Sequence, residues 1–314
     1  MTNARLAFVF PGQGSQQIGM LADAAAEFPE IHATFAEASS VLGYDLWDLC
    51  QTGEQADINM TERTQPLLLT ASVALYRVWC AHGGARPALM AGHSLGEWSA
   101  LVCAGVLAFT DAVRLVRERG RLMQEAVPAG QGAMAAVIGL DDAAVEAACA
   151  EAAQGEVAAA VNYNSPGQVV IAGSAAAVDR AIEACKAAGA KRAMPLPVSA
   201  PFHTELMRPA AEKLAPQIES TVFHAPEIPV IHNVHAKPEA DPAAIKALMI
   251  EQIYSPVRWT ACVQTMAAAG TEQLVECGPG KVLAGLAKRI DRGLSAHNID
   301  TPAQLNEALL AAAG

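Results

Sequence analysis

Five residues, Gly92-His93-Ser94-Leu95-Gly96, put a serine where it could act as a nucleophile. An apolar run, Pro87-Ala88-Leu89-Met90-Ala91, precedes them, and a helical pattern follows from about Leu95 to Cys103. Strand, sharp turn and helix in that order make a nucleophile elbow. Glycines two residues either side let the backbone turn tightly and leave the hydroxyl exposed at the sheet edge. The helix aims its free N–H groups at the spot where negative charge collects during attack on a carbonyl. The pattern therefore predicts an acyl-enzyme on Ser94. It is a loose pattern in a chain with 24 glycines, and such a serine can merely cap its helix. A base and an oxyanion site must accompany it.

Among eight histidines, His203 is the best placed base. It ends Pro197-Val198-Ser199-Ala200-Pro201-Phe202-His203, a proline-bearing loop of the kind that carries catalytic side chains. A neutral imidazole there could take the Ser94 proton and return it to a leaving thiol. The alternative is a hydrogen-bonded structural histidine. His93 is expected to point away from the serine along the turn, in a structural role. His232 and His235 fall on what reads as a strand, hence on opposite faces, which disfavours a metal site. Arg119 is the odd residue of its helix. Ala112, Leu115, Val116, Leu122, Met123 and Ala126 form the apolar stripe, and Arg119 sits in its middle. Arg114, Arg117 and Arg121 fall on or near the polar side. A core-facing guanidinium needs a carboxylate or an equivalent partner. That partner is either an internal acid or a carboxylate on a substrate, gripped by two parallel hydrogen bonds. Gly120 beside it would permit close backbone approach.

These residues need a scaffold of alternating strands and helices. Arg5–Phe10 reads as a buried strand ending at Pro11-Gly12-Gln13-Gly14, with a helix expected from there to about Glu27. Helices are predicted over Ile31–Leu42, over Pro66–Ala81 with the proline in the first turn, and over Asp111–Ala126. The alternation implies a parallel sheet covered on both sides, an α/β-hydrolase-like domain. Residues 129–198 read differently. Strands at 132–139, 157–163, 168–173 and 192–198 alternate with helices at 141–153 and 175–189, the βαββαβ order of a ferredoxin-like unit. We expect that unit to be inserted into a discontinuous large domain made of residues 1–128 and 199–314. The large domain resumes with a strand near Ile228–Val234, helices at 242–253 and 257–269, a strand at 272–277, and helices at 280–291 and 302–313.

The 314 residues are 52% hydrophobic, enough for a sizeable core. Seven scattered cysteines without a C-x-x-C pair fit reduced thiols better than disulfides or zinc. No run reaches membrane-spanning length and no secretory segment opens the chain, so a cytoplasmic protein is expected. The formal net charge of −11 argues against nucleic-acid binding and predicts repulsion from acidic partners, unless a local basic patch intervenes. Two basic clusters exist: Lys186, Lys191 and Arg192, then Lys281, Lys288 and Arg289. Solvated helix faces are the plain reading of both.

Taken together, the motifs resemble one family. They are Pro11-Gly12-Gln13-Gly14-Ser15-Gln16, Thr64-Gln65-Pro66-Leu67, Gly92-His93-Ser94-Leu95-Gly96-Glu97, Arg119-Gly120, Asn162-Tyr163-Asn164-Ser165-Pro166-Gly167-Gln168, Val198-Ser199 with Phe202-His203, and Glu276-Cys277-Gly278-Pro279-Gly280. In this order they resemble the malonyl-CoA:acyl carrier protein transacylases of bacterial fatty acid synthesis and the acyltransferase domains of polyketide synthases. The resemblance spans nearly the whole chain and suggests a free-standing, monomeric enzyme. It implies Ser94 as nucleophile, His203 as base, and Arg119 as the binder of the malonyl carboxylate. The backbone N–H groups of Gln13 and Leu95 would form the oxyanion hole. A main-chain carbonyl near Gln252 and Ser255-Pro256 would orient the histidine. Asn162 would line the acyl pocket, and Phe202 would crowd a branched methyl group.

The implied reaction is ping-pong transfer from malonyl-CoA to the phosphopantetheine thiol of acyl carrier protein, with no metal or redox cofactor. Carrier proteins of this pathway are acidic, so the Lys186/Lys191/Arg192 and Lys288/Arg289 clusters become candidate docking residues. Two rivals stand beside this reading: a serine hydrolase with the same elbow and base, and a catalytically silent scaffold that only binds the carrier.

Overall fold

The computed structural model describes residues 1–314. Nine strands form two sheets: Thr2–Phe10 (β1), Arg86–Gly92 (β2), Gly132–Ile138 (β3), Ala158–Ser165 (β4), Gln168–Ser174 (β5), Arg192–Pro195 (β6), Val230–Ile231 (β7), Gln273–Glu276 (β8) and Ser295–Asn298 (β9). The first sheet runs β7-β2-β1-β8-β9, parallel throughout. Its central strand shows why both faces are covered. Leu6, Phe8 and Phe10 enter one apolar core, while the alternating Ala7 and Val9 enter another on the far side. Side chains of period two serve two layers of helices at once.

The second sheet is antiparallel, in the order β4-β5-β3-β6. Within the unit this is the second, third, first and fourth strand, as the ferredoxin-like reading requires. Ala135, Val137, Val169 and Ile171 pack on the helices Asp142–Ala153 and Ala175–Ala187. Their neighbours Met134, Val170 and Ala172 face the other way and join the core of the large sheet. The small sheet is therefore dry on one side and forms a wall on the other.

Several expected boundaries move, each for a local reason. The helix expected after Gln16 is confined to Ala22–Glu27, because Gly19 and Leu21 adopt positive φ and turn the chain first. Pro66 does not open its helix. The helix begins at Thr61 and carries Pro66 inside it, its polar first turn having hidden the true start. The strand expected over Ile228–Val234 shrinks to Val230–Ile231, since His232 and Asn233 leave the sheet to bond beneath the elbow. The helix at 257 starts at Trp259, because Val257 pairs with β4 through Val161 and Tyr163. Helices at Leu46–Thr52 and Arg208–Ser220 and the edge strand β9 were not anticipated.

The helix bearing Arg119 spans Phe109–Glu125 and lies against Thr61–Ala81. Gly120 makes that possible: a Cβ there would overlap the Thr61 carbonyl oxygen. Gly120→Ala should therefore destabilise the protein by about 1–3 kcal/mol in urea melts. An unchanged melt would show that the two helices can part without cost.

Candidate active site

Ser94 sits between β2 and the helix Leu95–Cys103, at φ 52° and ψ −110°. Few residues hold this conformation, and strain of this sort costs roughly 1–3 kcal/mol. Two glycines make the turn fit. A Cβ on Gly92 would strike the Gly96 carbonyl, and one on Gly96 would strike that of Phe10 at the end of β1. Asn233 braces the bend: its Oδ1 accepts from the Ser94 N–H at 2.9 Å, and its Nδ2 donates to the Gly92 carbonyl at 2.7 Å.

The loop after β6 brings His203 to the serine, 2.7 Å from Nε2 to Ser94 Oγ. The imidazole is buried and its backbone also has positive φ, 63°. Its Nδ1 lies 2.9 Å from the Gln252 carbonyl oxygen. A carbonyl can only accept, so Nδ1 carries the proton and Nε2 is free to accept from the hydroxyl. Burial, reinforced by the nearby Arg119 charge, pushes the His203 pKa down to about 3, and the Gln252 carbonyl offsets this only in part. The ring is neutral across the ordinary working range, as a general base must be.

Arg119 is 1% exposed and touches no carboxylate. Nη1 donates to Gln65 Oε1 at 2.8 Å and Nη2 to Gln252 Oε1 at 2.9 Å. Nη2 also reaches Ser94 Oγ at 3.4 Å. Burial lowers its pKa to about 10, partly offset by the charge of Glu97, so the guanidinium stays charged at neutral pH. Arg114, Arg117 and Arg121 instead pair with Asp111, Glu62 and Glu118 on the outside of the helix.

These groups open onto a small cavity of about 130 Å³. Gln13, His93, Leu95 and Asn162 line it, and Met123, Met134, Val170 and Phe202 form its apolar side. Larger recesses of about 630 and 500 Å³ contain neither Ser94 nor His203, so size alone does not locate the chemistry. The backbone N–H of Leu95, first in its helix, has no acceptor there, and that of Gln13 donates to no protein group.

One expectation is corrected, and one residue gains a place. His93 lines the same cavity, with Nε2 2.7 Å from Asn164 Oδ1 and its ring against Trp259. His232 and His235 are not on opposite faces of a strand, since the strand ends at Ile231. Their ring centroids lie 6.0 Å apart, with His232 buried on Glu97 at 2.6 Å. Sequence reasoning also passed over Gln65, Asn233, Asn164 and Glu97. Gln65, Glu97 and Asn164 stood inside the motifs above, but nothing local signalled what they would touch.

Of the basic residues, Lys186 pairs with Glu183, and Lys281 opens the helix Val282–Ile290 far from its basic end. The others converge. Arg192 and Gln168 flank Ile138 in adjacent strands, and Arg289 donates to Gln168 at 3.1 Å. Arg192 and Arg289 thus approach the same strand ends, and each is preceded in the chain by an exposed lysine, Lys191 and Lys288.

A family model described as the acyl transferase domain matches residues 7–303. The chain belongs to the acyl transferase family. It is 61% identical over 305 residues to the malonyl CoA-acyl carrier protein transacylase of Escherichia coli K12, covering 97% of this chain and 99% of that protein. A solved acyl carrier protein S-malonyltransferase from Vibrio cholerae superposes with a TM-score of 0.95 at 59% identity, covering 96% of this chain and 99% of that one. A further neighbour is a malonyl-transacylase solved in complex with its type II PKS acyl-carrier protein. It matches at 57% identity and a TM-score of 0.97, over 98% of this chain and 99% of that one. No helix is long and apolar enough to cross a membrane.

The pKa of His203 makes a test of the dyad. An ordinary imidazole would lose basicity as pH falls through 6.5, whereas this one stays neutral until about 3. Labelling of Ser94 by a neutral fluorophosphonate should therefore persist below about pH 5, and its acid limb should move up toward 6.5 in Arg119→Ala. A limb near 6.5 in the unmodified protein would show the ring to be hydrated.

Proposed function

We propose that the protein moves a malonyl group from malonyl-CoA to the phosphopantetheine thiol of an acyl carrier protein, feeding fatty acid or polyketide chain elongation. One observation carries the choice of acyl group: a buried guanidinium beside the nucleophile, with neutral amides as its only side-chain partners apart from the serine hydroxyl. A substrate carboxylate supplies the anion that the protein withholds.

Ser94 attacks the thioester carbonyl as His203 Nε2 takes the hydroxyl proton. The Gln13 and Leu95 amides hold the oxyanion, where charge develops only during attack. The tetrahedral intermediate collapses, the carbon–sulfur bond breaks, and His203 protonates the departing CoA sulfur. The carrier thiol then attacks malonyl-Ser94 and the same steps run in reverse, which gives ping-pong kinetics. Gln252 orients His203 through its carbonyl. Asn162 and Phe202 bound the acyl group, Phe202 on the side that a branched methyl would need. The scheme uses no metal or other cofactor, and CoA thioester is a substrate.

We assign residues 129–198 to a subdomain that closes the acyl cavity and residues 1–128 with 199–314 to the domain that carries the dyad. Lys191, Arg192, Lys288 and Arg289 form the docking patch for the acidic carrier, in a protein otherwise at −11.

Mixing the protein with malonyl-CoA should add one malonyl mass, absent in Ser94→Ala, and the carrier should then remove it. Rapid CoA release without an acceptor would indicate a hydrolase instead, and no mass gain would indicate a scaffold. Arg119→Ala should lower malonyl transfer by about a hundredfold while leaving acetyl transfer within about threefold. Arg119→Lys should recover only part of it, because an ammonium lacks the two-pronged geometry. Equal losses for every acyl group would make the arginine structural. Reversing charge at Lys288 and Arg289 should raise the carrier's KM by about tenfold without slowing malonyl-Ser94 formation. Unchanged carrier kinetics would remove the patch.

A further inference from the structure

The motif around Ser94 ends in a glutamate that the reaction above does not use. Glu97 lies in the first turn of the elbow helix and is 1% exposed. Its Oε1 accepts from His232 Nδ1 at 2.6 Å and from the Asn233 N–H at 3.4 Å. Its Oε2 accepts from Gln252 Nε2 at 2.7 Å. The Asn233 N–H and the Gln252 NH2 can only donate, so both carboxyl oxygens serve as acceptors.

A group that only accepts decides which end of an amide faces it. Gln252 must turn its NH2 toward Glu97, and the same NH2 reaches the Ser94 carbonyl at 2.9 Å. The Gln252 oxygen is thereby committed to Arg119 Nη2, at 2.9 Å. The guanidinium offers donors only, so an amide turned over would set NH2 against it. Glu97 never touches Arg119, yet it determines what Arg119 meets.

We propose that Glu97 is a positioning residue. Through the Gln252 side chain it fixes the orientation of the Arg119 guanidinium, and so sets the preference for a carboxylated acyl group. This inference rests on the assignment of Arg119 to the malonyl carboxylate. It also makes a distinction that mere structural support would not make. The histidine is held by the Gln252 backbone carbonyl, not by its side chain. Loss of Glu97 therefore damages acyl recognition first. The Ser94–His203 contact and the backbone carbonyl that holds the ring use neither Glu97 nor the Gln252 side chain, whose NH2 touches the serine only at its carbonyl.

Two variants test this, Glu97→Gln and Glu97→Met, each with melting curves, malonyl-CoA kinetics and fluorophosphonate labelling of Ser94. In Glu97→Gln, His232 and the Asn233 N–H retain an oxygen, so the new NH2 confronts that of Gln252 and turns the amide over. In Glu97→Met the amide loses its shortest acceptor and keeps the Ser94 carbonyl and, at 3.4 Å, Asn233 Oδ1. Both should raise the KM for malonyl-CoA by about tenfold, as expected for losing one hydrogen bond to a charged group, with labelling kept within about threefold. Parallel loss of labelling and malonyl transfer, or an unchanged KM, overturns the proposal. If Glu97→Met does not fold, the isosteric Glu97→Gln decides alone. Arg119→Ala run alongside separates the two levels. If it leaves the malonyl KM unchanged, the carboxylate assignment itself fails. If it raises KM while the Glu97 variants do not, only the role of Glu97 is lost.

Discussion

A positive charge buried without an adjacent anion is the constraint around which the rest is arranged. Moving a guanidinium out of water costs several kcal/mol unless its donors find acceptors. Here Gln65 and Gln252 supply amide oxygens to the two terminal nitrogens, while Arg119 Nε is buried without a partner. Neutral acceptors lower the cost of burial without cancelling the charge. An acid in contact would have held the arginine more firmly, but it would have occupied the place of a ligand. The nearest counter-charge, Glu97, acts from behind the Gln252 amide. Burial, reinforced by the positive charge of Arg119, keeps His203 unprotonated. One side chain thus shapes both the recognition of an anion and the basicity of the histidine beside it.

Strain is the second cost. Ser94 and His203 both have positive φ, and neither is glycine. Backbone of this kind persists only where its surroundings over-determine it. Around Ser94, the N–H, the carbonyl and the preceding Gly92 carbonyl are each tied to Asn233 or Gln252. At about 1 kcal/mol net per hydrogen bond, three such ties are of the same order as the strain they restrain. The brevity of β7 follows from this. Residues 232–233 are needed under the elbow, so they cannot continue the ladder.

The legible parts of the sequence were those whose signal is local. The elbow announces itself through glycine spacing, and Arg119 through an apolar stripe that it interrupts. The small unit showed its order because each strand and helix is short, regular and bounded by turns. What stayed hidden depends on contacts far along the chain. Gln65 meets Arg119 across 54 positions, and Glu97 meets His232 across 135. No periodicity within either segment records such a meeting. The helix at Thr61 was read late because its first turn, Thr61-Glu62-Arg63-Thr64-Gln65, looks polar while Thr61, Thr64 and Gln65 are buried. Residues that pack through hydrogen bonds are invisible to a reading of hydrophobicity. Pro66 then drew the boundary to the wrong place.

The two sheets divide the cavity by chemistry. The large sheet and its helices bring serine, arginine and both orienting glutamines, while most of the apolar wall comes from Met134, Val170, Leu196 and Val198 on or beside the small one. Alternation makes this division possible in β5. Val169 and Ile171 fill the small unit's own core, and Val170 between them faces the cavity. A change of wall size at Val170 therefore leaves that core packing in place. A change at Val169 would disturb the unit itself. On the proposed reading, selection by charge belongs to one sheet and selection by size chiefly to the other. The polar network beneath the elbow is interlocked by directional hydrogen bonds, whereas the wall is built of apolar side chains without such ties. Variation in acyl preference is accordingly easier to accommodate in the wall than in the network that holds Arg119.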